Sequence, residues 1–265
     1  MMEPLLSSRV LSTLGTAEVL LAFDFDGTLA PIVDDPSSAA MRTTTRHLLA
    51  QVAQVYPCAV ISGRTEQEVM RLLGGVTVWY VIGNRFLEAP EVVERRCREV
   101  QSWLPLVQRE LTGLEGISIE DKGASLAIHY RHAVDRDRAR EAIGNVARLL
   151  ESARAVAGKE VVNLLPAGAN KGAAVDRVRR QLGCEVAIYV GDDGTDEDVF
   201  AAGPSVLGVR VGPAADSAAR YCLRDQGQVD ELLERLLSLR APRATLRESS
   251  RHGRAAGRAR DLGRE

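Results

Sequence analysis

Apolar residues arrive in short runs that stop on a small or polar residue, and these runs alternate with stretches of helical period. VLLAFDF (19–25), CAVIS (58–62), VWYVIG (78–83), VAIYVG (186–191) and VLGVRVG (206–212) are apolar on both faces, as central strands of a parallel sheet should be. Between them lie TTTRHLLAQVAQ (43–54), EQEVMRLLG (66–74) and NKGAAVDRVRRQLG (170–183), the last opening on the capping residue Asn170 and closing on Gly183. The alternation predicts an α/β fold with a doubly wound parallel sheet. Trp79 and Tyr80, inside the third run, are read as core.

The rhythm breaks in the middle. A long polar helix is predicted over 91–112, then two runs in GISIEDKGASLAIHYR that flank Lys122-Gly123 as an antiparallel hairpin, another helix over 135–153, and a strand pair in ARAVAGKEVVNLLP. Antiparallel strands with helices, set between units of a parallel sheet, imply an inserted α+β module closing over the C-terminal edge of that sheet. The expected division is a discontinuous core (1–87 and 167–240), a cap (88–166) and a tail (241–265). From Arg240 to the end the chain carries eight arginines and few large apolar groups, so a solvated tail without fixed structure is expected rather than a nucleic-acid partner.

Composition narrows the class. A chain of 265 residues at 45% hydrophobic has ample material for a buried core, and a net charge of -2 points to no polyanionic partner. No apolar stretch reaches the roughly 20 residues that span a bilayer, and no basic segment precedes an apolar one at the N-terminus. A cytoplasmic protein, without membrane contact and monomeric, is expected. Its four cysteines form no CxxC pair and are read as reduced and structural.

Ligands of open α/β sheets bind outside the carboxyl ends of the strands. There the sequence places Asp24, Asp26 and Gly27, then Ser62, Gly63 and Arg64, then Asn84, and finally Asp192, Asp193 and Asp196, with Lys171 at a helix start. Carboxylates converging on one point are tolerable with a divalent cation among them, and oxygen ligands without a His or Cys cluster suit Mg2+. Mg2+, Lys171, the amides of the Asp24–Gly27 turn and Ser62 would form a cup for a phosphoryl group. In that cup Asp24 can attack phosphorus, and Asp26 can protonate the leaving oxygen and then activate water.

DFDGT, SGR, Lys171 and GDDGTDEDVF resemble, in order and spacing, the four motifs of haloacid dehalogenase-like (HAD) phosphatases. Over about 18–239, DGTLAPI, ISGRT, SLAIHYR, GKEVV, NKGAAV and VGDDGTDEDVF are similar to trehalose-6-phosphate phosphatases. The resemblance implies a HAD-like core with an inserted cap and hydrolysis of trehalose 6-phosphate through an aspartyl-phosphate. It implies Asp24 as nucleophile, Asp26 as acid/base, and Ser62 and Lys171 on the phosphate. Asp24, the Asp26 carbonyl and Asp192 would sit at Mg2+, supported by Asp193 and Asp196. The cap departs from the family pattern: Gly83-Asn84-Arg85-Phe86 stands where Gly-x-His-Gly is usual, and Asn163-Leu164-Leu165-Pro166 where Glu-x-Arg/Lys-Pro is usual. Sugar readers are sought at Arg64, Asn84, Lys122, His129, Arg131, Lys159 and Asn163. Sucrose phosphate, a mannosylglycerate phosphate or a hexose phosphate stay open as substrates, as does a non-catalytic phosphosugar-binding module.

Overall fold

Every residue of the strand Val19–Phe23 is buried, a condition that requires helices on both faces of its sheet. The computed structural model describes residues 2–15, 17–84, 90–158 and 160–240. Glu3–Pro4 (β1), Val10–Leu14 (α1), Val19–Phe23 (β2), Thr43–Val55 (α2), Cys58–Ile61 (β3), Glu66–Leu72 (α3) and Tyr80–Ile82 (β4) come first. Pro90–Leu111 (α4), Ser118–Asp121 (β5), Leu126–His129 (β6), Arg136–Leu149 (α5), Ala153–Ala157 (β7) and Val161–Pro166 (β8) follow. Lys171–Gln181 (α6), Val186–Gly191 (β9), Glu197–Phe200 (α7), Val206–Val211 (β10), Tyr221–Leu223 (β11) and Gly227–Arg240 (α8) complete the chain.

Among the described residues, seven strands form a parallel sheet in the order β1-β11-β10-β9-β2-β3-β4. From β2 the chain winds outward through β3 to β4, and from β9 it winds the other way through β10 to β11. The order therefore reverses between β2 and β9, which pair from Val19↔Val186 to Phe23↔Val190. A crevice opens outside the carboxyl ends of strands at such a switch point. On one face Leu21 and Phe23 pack with Leu49 and Val52 of α2 and Leu232 and Leu236 of α8. On the other, Leu20, Ala22 and Tyr189 meet Val175 and Val178 of α6.

The inserted segment builds a separate antiparallel sheet, β5-β6-β8-β7. Leu126, Ile128, Val162 and Leu164 point to one face, where they bury against Val100, Trp103 and Val107 of α4 and Ile143 and Val146 of α5. Alternation then turns Glu120, His129 and Asn163 to the opposite face. The doubly wound α/β core with its inserted α+β cap is thus the architecture present.

Two expectations need correction. The run 78–83 forms an edge strand, not a central one, and Trp79 is 59% exposed instead of buried, because no strand among the described residues pairs beyond β4. The expected hairpin around Lys122-Gly123 is present as β5 and β6, joined through Lys122–Ser125 with the Lys122 N–H donating to the Ser125 carbonyl at 3.0 Å. Helix α5 stops at Leu149, since 153–157 is claimed by pairing with β8. All four cysteines are free thiols, Cys58 and Cys184 being buried. Among the described residues no helix is long and apolar enough to cross a membrane. Lys159, Arg85, Phe86 and the tail 241–265 lie outside the described residues.

Leu49 is fully buried between α2 and the sheet, so Leu49→Ala removes a packed side chain and leaves a cavity. We expect a loss of about 3 kcal/mol in urea unfolding; a loss under about 1 kcal/mol would contradict the packing described here.

Candidate active site

The switch point gathers the carboxylates. Asp24 follows β2 directly, its N–H donating to the Val190 carbonyl at 2.8 Å, and its side chain is drawn into the protein with 5% exposure. The chain then turns: the Gly27 N–H donates to the Ala30 carbonyl at 2.7 Å, and Gly27 has φ +81. A Cβ on Gly27 would lie 2.0 Å from Asp192 Oδ2. Positive φ and this approach together demand glycine, and they bring the first turn up against the loop after β9.

Lys171 opens α6, whose N-terminus is capped by Asn170 accepting from the Ala173 N–H at 2.9 Å. Its Nζ donates to Asp24 Oδ1 at 2.9 Å and to Asp196 Oδ1 at 2.8 Å, with 4% of the residue exposed. Burial alone would push this ammonium down, but Asp196 and Asp24 outweigh it and hold it well above the usual lysine range. Asp196 is fully buried and saturated. Its Oδ1 also accepts from the Tyr189 hydroxyl at 2.7 Å, and its Oδ2 accepts from the N–H groups of Asp192 (2.9 Å) and Asp193 (3.1 Å). Burial works against its ionised form, yet Lys171, Tyr189 and the amides carry it below the usual carboxylate range.

Asp24 and Asp192 fare differently. Burial raises Asp24 well above its usual range, Lys171 opposes that, and the other aspartates add to it. Asp192 is pushed up to about 8, first by burial and then by Asp193 and Asp196. Oxygens of Asp24, Asp192 and Asp196 all lie within 4.8 Å of one another. An all-oxygen set with uncompensated negative charge fits a hard divalent cation such as Mg2+. Asp193 serves the loop instead, accepting from the Thr195 N–H (2.8 Å) and hydroxyl (2.6 Å).

Around this centre the other expected residues divide. Ser62, after β3, is 1% exposed, its N–H donates to the Ile82 carbonyl at 2.9 Å, and its Oγ accepts from the Arg64 N–H at 3.2 Å. Arg64 grips Asp26 with both arms of its guanidinium, at 2.7 and 2.8 Å. Asp26 is therefore paired away from Lys171. Gly63, Asn84 and Lys171 line a cleft with Lys122, Ser125 and Asn163 of the cap sheet. Asn84 also donates to the Lys122 carbonyl, joining core to cap. His129 and Arg131 do not line this cleft. His129 Nε2 lies 2.9 Å from Glu120 Oε2, and Arg131 pairs with Glu160 at 3.0 Å and with Asp34 of the core.

Two residues escaped the sequence reading. Glu120 lies directly across from Ala127, in one row with Asn163, on the polar face of the cap sheet. Lys122 Nζ is 3.7 Å from it, and the hydrogen bond with His129 holds it below the usual carboxylate range. Its position two residues before Lys122 was the available signal. Tyr189 sits in an apolar strand, and nothing local marks it as the partner of Asp196.

Comparison with known proteins adds an independent line. The family model described as trehalose-phosphatase matches residues 22–218. A trehalose-phosphate phosphatase of Mycobacterium marinum is 32% identical over 241 residues, covering 82% of this chain and 60% of that protein. The chain thus spans about 60% of the length of this curated relative. Among solved structures, the C-terminal domain of Candida albicans trehalose-6-phosphate phosphatase superposes with a TM-score of 0.75 at 23% identity, covering 89% of this chain and 99% of that one. The sucrose-phosphatase of Synechocystis superposes with a TM-score of 0.57 at 19% identity, covering 83% and 98%.

Asp24 and Asp192 both bind protons more tightly in the fold than in the unfolded chain, and at Asp192 the metal-free protein holds its extra proton between about pH 4 and pH 8. The contribution of Asp192 to stability is present at the acid end and lost as pH rises through about 8, and that of Asp24 falls in the same direction. Thermal melts in EDTA should show Tm falling over that range, and Mg2+ should flatten the decline; a Tm insensitive to Mg2+ at the alkaline end would argue against cation binding by this cluster.

Proposed function

The chain belongs to the trehalose-phosphatase family, and from that premise we propose that it is a Mg2+-dependent phosphatase that hydrolyses trehalose 6-phosphate to trehalose and phosphate. The observation that carries the reading is the buried Lys171 ammonium bridging Asp24 and Asp196 at 2.9 and 2.8 Å, beneath a cleft roofed by polar cap residues. The proposed site consists of Asp24, Asp26, Ser62, Gly27 and Lys171 at the phosphate, and Asp24, Asp192 and the Asp26 carbonyl at the cation. Asp193 and Asp196 hold the loop. The proposed domain division follows the two sheets, with the cap inserted between α3–β4 and α6.

The chemistry runs on groups already in place. Lys171 aims Asp24 and opposes the effect of burial on it, so that, once a bound cation completes its ionisation, one carboxylate oxygen attacks phosphorus and displaces the sugar oxygen, giving an aspartyl-phosphate. Asp24, Asp192 and the Asp26 carbonyl would hold Mg2+, which would supply positive charge toward the phosphoryl oxygens. Asp26, on releasing Arg64, takes up a proton from solvent, gives it to the departing sugar oxygen, and takes one back from the water that cleaves the acyl phosphate. Ser62 and the turn amides donate to the phosphoryl oxygens. Lys122, Asn84 and Asn163 are placed to read sugar hydroxyls, with Glu120 beside Lys122 and His129. Asp196 needs no role in the chemistry, because its oxygens already accept four hydrogen bonds.

Asp24→Asn should keep the fold and lose turnover by at least about a thousandfold in a phosphate-release assay, the scale expected when a nucleophile is removed. Near wild-type turnover would remove Asp24 from that role. Run over a panel of sugar phosphates, the same assay should favour trehalose 6-phosphate by orders of magnitude. A preference for sucrose phosphate or a hexose phosphate would reassign the substrate, and binding without hydrolysis would make the chain a phosphosugar-binding module.

A further inference from the structure

Where the cap rejoins the core, one arginine touches three segments. Arg154 of β7 donates from Nη1 to Asp198 Oδ1 at 2.7 Å and from Nη2 to Asp198 Oδ2 at 2.6 Å. The same Nη2 donates to the Ala169 carbonyl at 3.1 Å. Ala169 immediately precedes Asn170, which caps α6, and Lys171, which opens it. Asp198 stands in the first turn of α7, two residues beyond Asp196. The guanidinium therefore ties the start of the Lys171 helix to the end of the Asp192–Asp196 loop, and does so from a cap strand.

Close packing reinforces the junction. A Cβ on Gly172 would lie 2.5 Å from the Asp198 carbonyl oxygen, so α6 and α7 meet backbone to backbone. A Cβ on Gly194 would lie 2.3 Å from the Ala157 carbonyl oxygen, so β7 presses directly on the turn between Asp193 and Asp196. A planar bidentate fork fixes orientation as well as distance. We propose that Arg154 is a positioning residue: through Asp198 and the Ala169 carbonyl it sets Lys171 and the Asp192–Asp196 loop in register, so that cap and cation site share one rigid junction. The inference rests on the cation and phosphatase reading above, and it adds a residue that touches neither substrate nor cation.

The test separates core positioning from cap pinning. Mg2+ binding is measured by calorimetry on the full chain, and kcat and KM on trehalose 6-phosphate and on p-nitrophenyl phosphate, which has no sugar for the cap to hold. Arg154→Ala should weaken Mg2+ binding about tenfold, the scale seen when groups orienting metal ligands are lost, and lower kcat in parallel on both substrates. Arg154→Lys, which keeps the charge without the fork, should fall between the two and carries the test if Arg154→Ala does not fold. Wild-type Mg2+ affinity in the variants overturns the proposal, whether it comes with a lower Tm alone or with a raised KM for the sugar phosphate alone. If the wild-type protein hydrolyses neither substrate, the phosphatase reading fails while the Mg2+ titration still decides the role of Arg154.

Discussion

The Lys171 ammonium, shut away from water between Asp24 and Asp196, is the constraint on which the rest of the structure turns. A cation so buried is tolerable only with anions in direct contact. Its two partners come from the ends of β2 and β9, and the lysine itself comes from the first turn of α6. These elements can meet only if β2 and β9 are neighbours, which is what winding the sheet in opposite directions from its centre achieves. The hydrophobic layers on both faces are the support for this one polar contact. Their strands are apolar throughout because the charged groups are confined to the strand ends.

Environment divides the labour among chemically identical side chains. Asp196 has its ionised form satisfied by an ammonium, a hydroxyl and two amides, and it behaves as scaffold. Asp24 and Asp192 have fewer compensating donors, so burial and mutual repulsion disfavour their ionised forms in a way that a cation could relieve. Asp26, in reach of solvent, is taken by Arg64. A carboxylate with both oxygens gripped by a guanidinium has none free for a leaving group, so acid catalysis requires it to change partners as substrate arrives. In the proposed reaction the pair is a resting arrangement, and the short turn around Gly27 would keep Asp26 close enough to serve the same phosphorus as Asp24.

What could be read from the sequence follows from how local each signal is. β2, β3, β9 and β10 were legible because apolar runs end sharply on Asp, Ser or Gly, and the capping of α6 by Asn170 is a signal internal to four residues. β1 and β11 were not legible, being two and three residues long and defined only by pairing with each other and with β10. Trp79 was misplaced because an edge strand and a central strand can share one apolar pattern, and only the neighbour distinguishes them. The site residues at strand ends came from that same punctuation. Tyr189, Glu120 and Arg154 stayed hidden: the first looks like any strand residue, the second like solvated surface, and the third reaches a partner 44 positions away.

The same contrast explains why the reaction is easier to assign than the sugar. At the proposed phosphate end Asp24, Ser62, Lys171 and Asp196 are each no more than 5% exposed. Each also satisfies a buried neighbour, so a substitution there disturbs folding as well as chemistry and the motif stands out. At the proposed sugar end Lys122 and Asn163 lie on the half-open face of a sheet whose stability comes from Leu126, Ile128, Val162 and Leu164 on its other side. Half-exposed side chains on that open face, such as Asn163, can change at little cost to the fold, whereas Leu165 is buried in the core cluster with Leu20, Ala22 and Tyr189. Under the proposed function, substrate choice is read on this less constrained face, and the cap meets the core through contacts such as Asn84 with the Lys122 carbonyl and Arg154 with Asp198.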